Sequence, residues 1–248
     1  MLEYRSTGLL GDGAIIELKD AQEEQIASFN STLPERRKDV SSLSPRVKKA
    51  VARYQKVIGA PLDLSQPHPR DCFYVVRTWR RHHEQVRISF VEGSFFSTIT
   101  TEKLLESLWL ELMREAGLDT SEESVRRVVE GLSRLSRDQI ANTRRIENAS
   151  VKPRLRVMAE VEPDGNPHTY SEIPARSVNL IFQHKHCGEA NELDIIAEMF
   201  RQDNIDAQIT NGTLKINSLE VSLQHLQHKR NGLYTVIQKS IPPMPQGA

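Results

Sequence analysis

Short runs of β-branched and apolar residues alternate along this chain with longer stretches of helical spacing, and Gly follows Asp or Asn beside four of the short runs. The four pairs are Asp12-Gly13, Asp164-Gly165, Asn211-Gly212 and Asn231-Gly232. Asn and Asp tolerate positive φ and Gly adopts it freely, so these pairs suit tight turns between antiparallel strands. Asn211-Gly212 is the cleanest, with Ile209 and Thr210 before it and Thr213, Leu214, Lys215 and Ile216 after it. The pattern predicts a hairpin around Asp12-Gly13 whose second arm begins at Ala14. It predicts strands over Cys72–Arg80, Gln85–Phe90, Leu155–Val161 and Val178–Phe182, the last two flanking a turn at Asp164-Gly165. Further strands are expected around Asn211-Gly212 and Asn231-Gly232.

Helical periodicity takes over elsewhere. Asp20–Leu33 reads as a polar helix. Pro45–Ile58 reads as a second one, with Pro45 suited to the first position, Gly59 to the stop, and Val47, Val51, Tyr54 and Ile58 on one face. Thr101–Asn148 contains no proline and carries two apolar stripes, Leu104/Leu105/Leu108/Leu112 and Val125/Val128/Val129/Leu132. Thr120 with Glu123 suits a capping box for the second helix of this block, and Ser136 with Gln139 could open a third. Asn191–Gln202 reads as a helix capped by Asn191. The expected fold class is α+β, with antiparallel sheets and a central helical block. Residues 1–149 would form a mixed α/β region ending in that block, and residues 150–248 an antiparallel sheet with one helix.

A length of 248 residues with 38% apolar and 27% charged side chains describes a globular chain with enough apolar surface for a real core. No apolar run reaches the length of a membrane span. Two cysteines, Cys72 and Cys187, rule out a disulfide framework, so a reducing, cytoplasmic setting without membrane association is expected. Net charge is zero, yet the signs fall in blocks: +8 over residues 33–87, +5 over 132–157 and −7 over 158–206. Such blocks can give separate basic and acidic faces after folding.

The basic segments carry the first functional expectation. Arg77, Trp79, Arg80, Arg81 and Arg87 lie among aromatic residues on the paired strands, and Arg46, Lys48, Lys49, Arg53 and Lys56 cover the helix 45–58. Arginine neutralises phosphates and aromatics stack on exposed bases, so the mixture fits an accessory protein that binds RNA or single-stranded nucleic acid. The alternating strand pattern equally allows the aromatics to be core and the arginines solvated. A second reading is a protein-interaction or structural subunit whose opposite-signed blocks meet a partner or a second copy. A third is a metal-dependent hydrolase or nuclease built on Glu220, Lys239 and Asp194 or Asp206. His184, His186, His225 and His228 form the densest histidine set, but no carboxylate follows at a recognised ligand spacing. No metal ligands, catalytic residues or cofactor are therefore assigned. No phosphate loop, Gly-x-Ser-x-Gly elbow or His-Glu-x-x-His helix is present to identify a reaction.

Overall fold

A computed structural model describes residues 14–29, 33–40, 45–58, 69–80, 85–135, 158–184 and 191–242. The fold is mixed α+β. Its centre is a seven-stranded sheet formed by β1 (Ile15–Ala21), β3 (Arg37–Asp39), β4 (Pro69–Thr78), β5 (Arg87–Glu92), β7 (Ser177–Gln183), β11 (Ser222–His228) and β12 (Gly232–Ser240). The order is β1-β4-β5-β7-β12-β11, with β3 paired to the start of β4. Two short strands, β2 (Ser28–Phe29) and β6 (Ala159–Glu160), pair with each other. A small antiparallel sheet comprises β8 (Ala207–Thr210), β9 (Thr213–Ile216) and β10 (Leu219–Glu220). The helices are α1 (Pro45–Ile58), α2 (Thr101–Glu115), α3 (Glu123–Ser133) and α4 (Glu192–Gln202).

The main sheet is not purely antiparallel, which corrects the sequence expectation. β1 runs parallel to β4, and β5 runs parallel to β7. Each parallel pair is joined by a long excursion, and hairpin punctuation in the sequence marks only the antiparallel neighbours. β5 and β7 are adjacent although position 150 falls between them in the chain.

Three local expectations also change. The stretch from Asp20 to Leu33 is not a helix: β1 continues to Ala21, four bends follow, and β2 occupies Ser28–Phe29. Asp164-Gly165 is not a hairpin turn. It belongs to a 3-10 turn, and β6 pairs with β2 instead of β7. Thr120 does not cap α3. That helix starts two residues later with Glu122 at the N-cap, while Asp119 accepts from the Ser121 amide at 2.8 Å. The hairpin at Asp12-Gly13 and the third helix after Ser136 lie outside the described residues. Among the described residues, no helix is long and apolar enough to cross a membrane.

Side-chain alternation gives the main sheet two different faces. The first is fully packed. Cys72, Tyr74 and Val76 of β4, Val91 of β5, Ile181 of β7, Tyr234 and Val236 of β12, and Leu226 of β11 bury against Ile26, Phe29, Phe95 and Ile173 from the crossing segments. Burial pushes the Cys72 thiol up to about 12, so it is an inert core group. Among the described residues, the second face carries its packed cluster over β7, β12 and β11. There Phe182 and Ile237 meet Ile196, Ala197 and Phe200 of α4, with Ala207 and Leu214 of the small sheet.

Candidate functional site

Among the described basic residues on the strands, Arg77 and Arg87 lie on opposite faces of the main sheet. Arg77, Trp79 and Arg80 sit together at the end of β4, but acidic partners meet them. Arg77 donates to both Asp20 oxygens, at 2.8 and 2.6 Å, and Trp79 Nε1 donates to Asp20 Oδ1 at 3.1 Å. The Arg77 guanidinium holds the Asp20 carboxyl below its usual range. Arg80 pairs with Glu24 at 3.1 Å, and the shallow depression beside it is lined by Gln22, Glu23, Glu24 and Gln25. Register puts Arg87 on the opposite face of the sheet, where its Nε donates to Ile173 O at 3.2 Å. Phe73 and Tyr74 are core residues. On α1, Lys49 and Arg53 are exposed and Lys48 is half-buried. The Arg46 and Lys56 side chains, and all of Arg81, lie outside the described residues. In the second basic block, Arg134 pairs with Glu130, and the residues after 135 are also outside.

The uncovered half of the second sheet face has a different character. Parallel pairing sets Ile16 beside Phe73 and Leu18 beside Val75; the hairpin sets Val75 beside Phe90 and Arg77 beside Ile88; β7 adds Leu180 beside Phe90 and Val178 beside Ile88. Ile16 is 55% exposed, Leu18 66%, Phe90 38% and Val178 37%. Between them Val75 and Ile88 are half-buried, and Phe73, 2% exposed, is covered, so the exposed part of this face lies around it. Asp20 and Arg77 close the patch at one end. β1 is the edge of the sheet among the described residues. Periodicity in the sequence marked Ile15, Ile16 and Leu18 as strand residues but gave no sign that α4 would cover only one half of the sheet.

The histidines meet on the covered half, where the N-terminus of α4 reaches the strands. His184 extends β7, its amide donating to Leu233 O at 2.9 Å. It therefore shares a face with Phe182, as a continuing strand requires. Thr235 and His225 are direct cross-strand neighbours on that face. Glu192, in the first turn of α4, fills the space between them. Its Oε1 accepts from Thr235 Oγ1 at 3.0 Å and lies 3.2 Å from His184 Nδ1; both its oxygens lie 3.0 Å from His225 Nε2. The two imidazole rings are edge to face, 4.9 Å between centroids. The sequence spacing set no carboxylate beside these histidines; the fold brings Glu192 there on a helix that folds back on the strands. Asn191 fixes the helix start by accepting from the Leu193 amide at 3.1 Å. His186 lies outside the described residues, and His228 is buried elsewhere, against Phe95.

The nuclease arrangement gains little. Lys239 Nζ donates to the Glu220 carbonyl at 2.8 Å, but His184, Glu192 and His225 are the only potential ligand cluster among the described residues. Asp194, Asp206 and Glu220 do not join it. No protein-family model matches the chain, and no curated protein or solved structure is significantly similar to it.

Proposed function

We propose that this chain is a protein-interaction subunit that self-associates through the open half of its main sheet. The observation that carries this reading is that Ile16 and Leu18 of β1, Phe90 of β5 and Val178 of β7 are exposed apolar side chains on one face, with half-buried Val75 of β4 between β1 and β5. Monomeric proteins rarely leave contiguous apolar patches beyond a few hundred Å² in water. A second copy is the favoured occupant for two reasons. β1 is the edge of the main sheet among the described residues, a position at which a strand of a second copy could extend the sheet. A net charge of zero also sets up little repulsion between copies.

The nucleic-acid reading has less support. Its best-placed cations, Arg77 and Arg80, are engaged by Asp20 and Glu24, and phosphate would have to displace those carboxylates. Light scattering on the eluted chain tests the proposal. The parent should elute at a multiple of the chain mass at micromolar concentration, and Leu18→Glu with Phe90→Glu should elute as a monomer. A monomeric parent would sink the proposal. Salt-sensitive binding of that monomer to single-stranded nucleic acid would favour the other class.

A further inference from the structure

We propose that His184, Glu192 and His225 bind one divalent transition-metal ion of the zinc class. The site is independent of the open sheet face. Three separate segments supply the donors: the end of β7, the first turn of α4 and the middle of β11. All candidate ligand atoms lie within 4.8 Å of one another, and the carboxylate oxygens stand 3.0 to 3.2 Å from the two imidazoles. A tetrahedral ion with bonds near 2.0–2.1 Å holds its donors about 3.4 Å apart, so small side-chain rotations bring this set to that spacing.

Donor chemistry sets the class of ion. Two imidazole nitrogens with one carboxylate suit zinc and its first-row neighbours, while magnesium and calcium prefer an all-oxygen shell. Thr235 Oγ1 donates to Glu192 Oε1 and so holds the carboxylate in place, the kind of outer support that metal ligands receive. The N-terminal end of α4 carries partial positive charge, which disfavours a cation, but this effect is worth less than about tenfold in affinity. His225 is exposed while His184 is nearly covered. An ion would therefore enter from the His225 side and keep a position open to water. Without an ion, the same groups form a hydrogen-bonded cluster, and the experiment must separate these two states.

The full chain, stripped with a chelator, should take up about one Zn²⁺ in calorimetric titration. Co²⁺ should give visible absorption, and Mg²⁺ no response. Zn²⁺ should also raise the thermal midpoint, because only the folded chain assembles the three donors. Glu192→Gln and His225→Asn should each weaken Zn²⁺ binding by at least about tenfold, as loss of a metal ligand or of its support does. The other adjacent histidines of the sequence, His82 and His83, serve as the control: His82→Ala with His83→Ala should bind as the parent does. Midpoints measured without metal establish that each variant is folded; should Glu192→Gln unfold, the exposed His225 supplies the decisive variant. Absence of uptake at sub-millimolar Zn²⁺ would overturn the proposal. So would uptake that survives His225→Asn and disappears with the His82/His83 replacement.

Discussion

His168 is a polar side chain that the core retains in its neutral form. It lies 2.7 Å from Thr78 Oγ1 and 2.9 Å from Ser89 Oγ, one hydroxyl for each ring nitrogen. The chain of contacts continues from Ser89 to Asn179 at 3.3 Å and from Asn179 to Gln238 at 2.8 Å. Burial, helped by the nearby Arg87 charge, pushes the His168 pKa down to about 3 from an ordinary 6.5. The unfolded chain therefore binds the extra proton first. The stability due to neutral His168 is fully present above pH 6.5 and is lost as pH falls toward 3. At about 1.4 kcal/mol per unit, the loss between pH 6.5 and 4.5 is on the order of 2–3 kcal/mol. Urea unfolding at these two pH values should show that loss in the parent and a clearly smaller one in His168→Gln. Equal losses would remove His168 as the cause. Nothing in the sequence marked this residue, because its partners lie 79 and 90 positions away. Glu192 escaped notice for a related reason: in the sequence it is an ordinary acidic residue in the first turn of a helix, and only packing brings it to the histidines.

Elements governed by local chemistry were the legible ones. Helix α1 begins at Pro45, α4 is capped by Asn191, and β8 and β9 are joined by Asn211-Gly212 with φ values of 51° and 74°. Both turn residues there adopt the left-handed conformation that the Asn-Gly signal implies. The Asn231-Gly232 hairpin also forms, but differently from the expectation. Gly232 pairs with His228 across a three-residue loop, and of the Asn-Gly pair only Gly232 has positive φ, at 95°. His228 Nδ1 accepts from the Arg230 and Asn231 amides, each at 3.0 Å. The Asn231 side chain ties the loop to the carbonyls of Ser94 and Phe95 at 3.1 and 2.9 Å. A Cβ at Gly232 would meet nothing within 4 Å, so the cost of Gly232→Val is one of backbone conformation alone. It should be about 1–3 kcal/mol, visible as a lowered thermal midpoint. An unchanged midpoint would mean that this turn does not depend on positive φ. The Asp164-Gly165 pair shows the limit of such signals: it closes a 3-10 turn, and the strand before it, β6, pairs with β2 and not with a strand that follows the turn.

At the scale of the whole molecule, the parallel pairings decide the shape, and they were the least legible feature. Nothing local in Ile15–Ala21 or Arg87–Glu92 specifies a parallel neighbour dozens of residues away; the choice follows from which face each strand must bury. β7 joins the two halves of the sheet. Ile181 lies between Val91 and Val236 on the packed face, and Val178 points to the open one. This asymmetry yields a paired prediction. Ile181 is fully buried, so Ile181→Ala removes packed methyl groups from the core and should cost about 2–5 kcal/mol. Leu18 is 66% exposed at the edge of the open face, so Leu18→Glu should leave the stability of the isolated chain within about 0.5 kcal/mol of the parent. Chemical denaturation at low protein concentration, where association is negligible, measures both. If Leu18→Glu is as costly as Ile181→Ala under those conditions, the half-sheet belongs to the interior of a single chain. Surface apolar residues would then no longer argue for a second copy, and the proposed self-association would lose its basis.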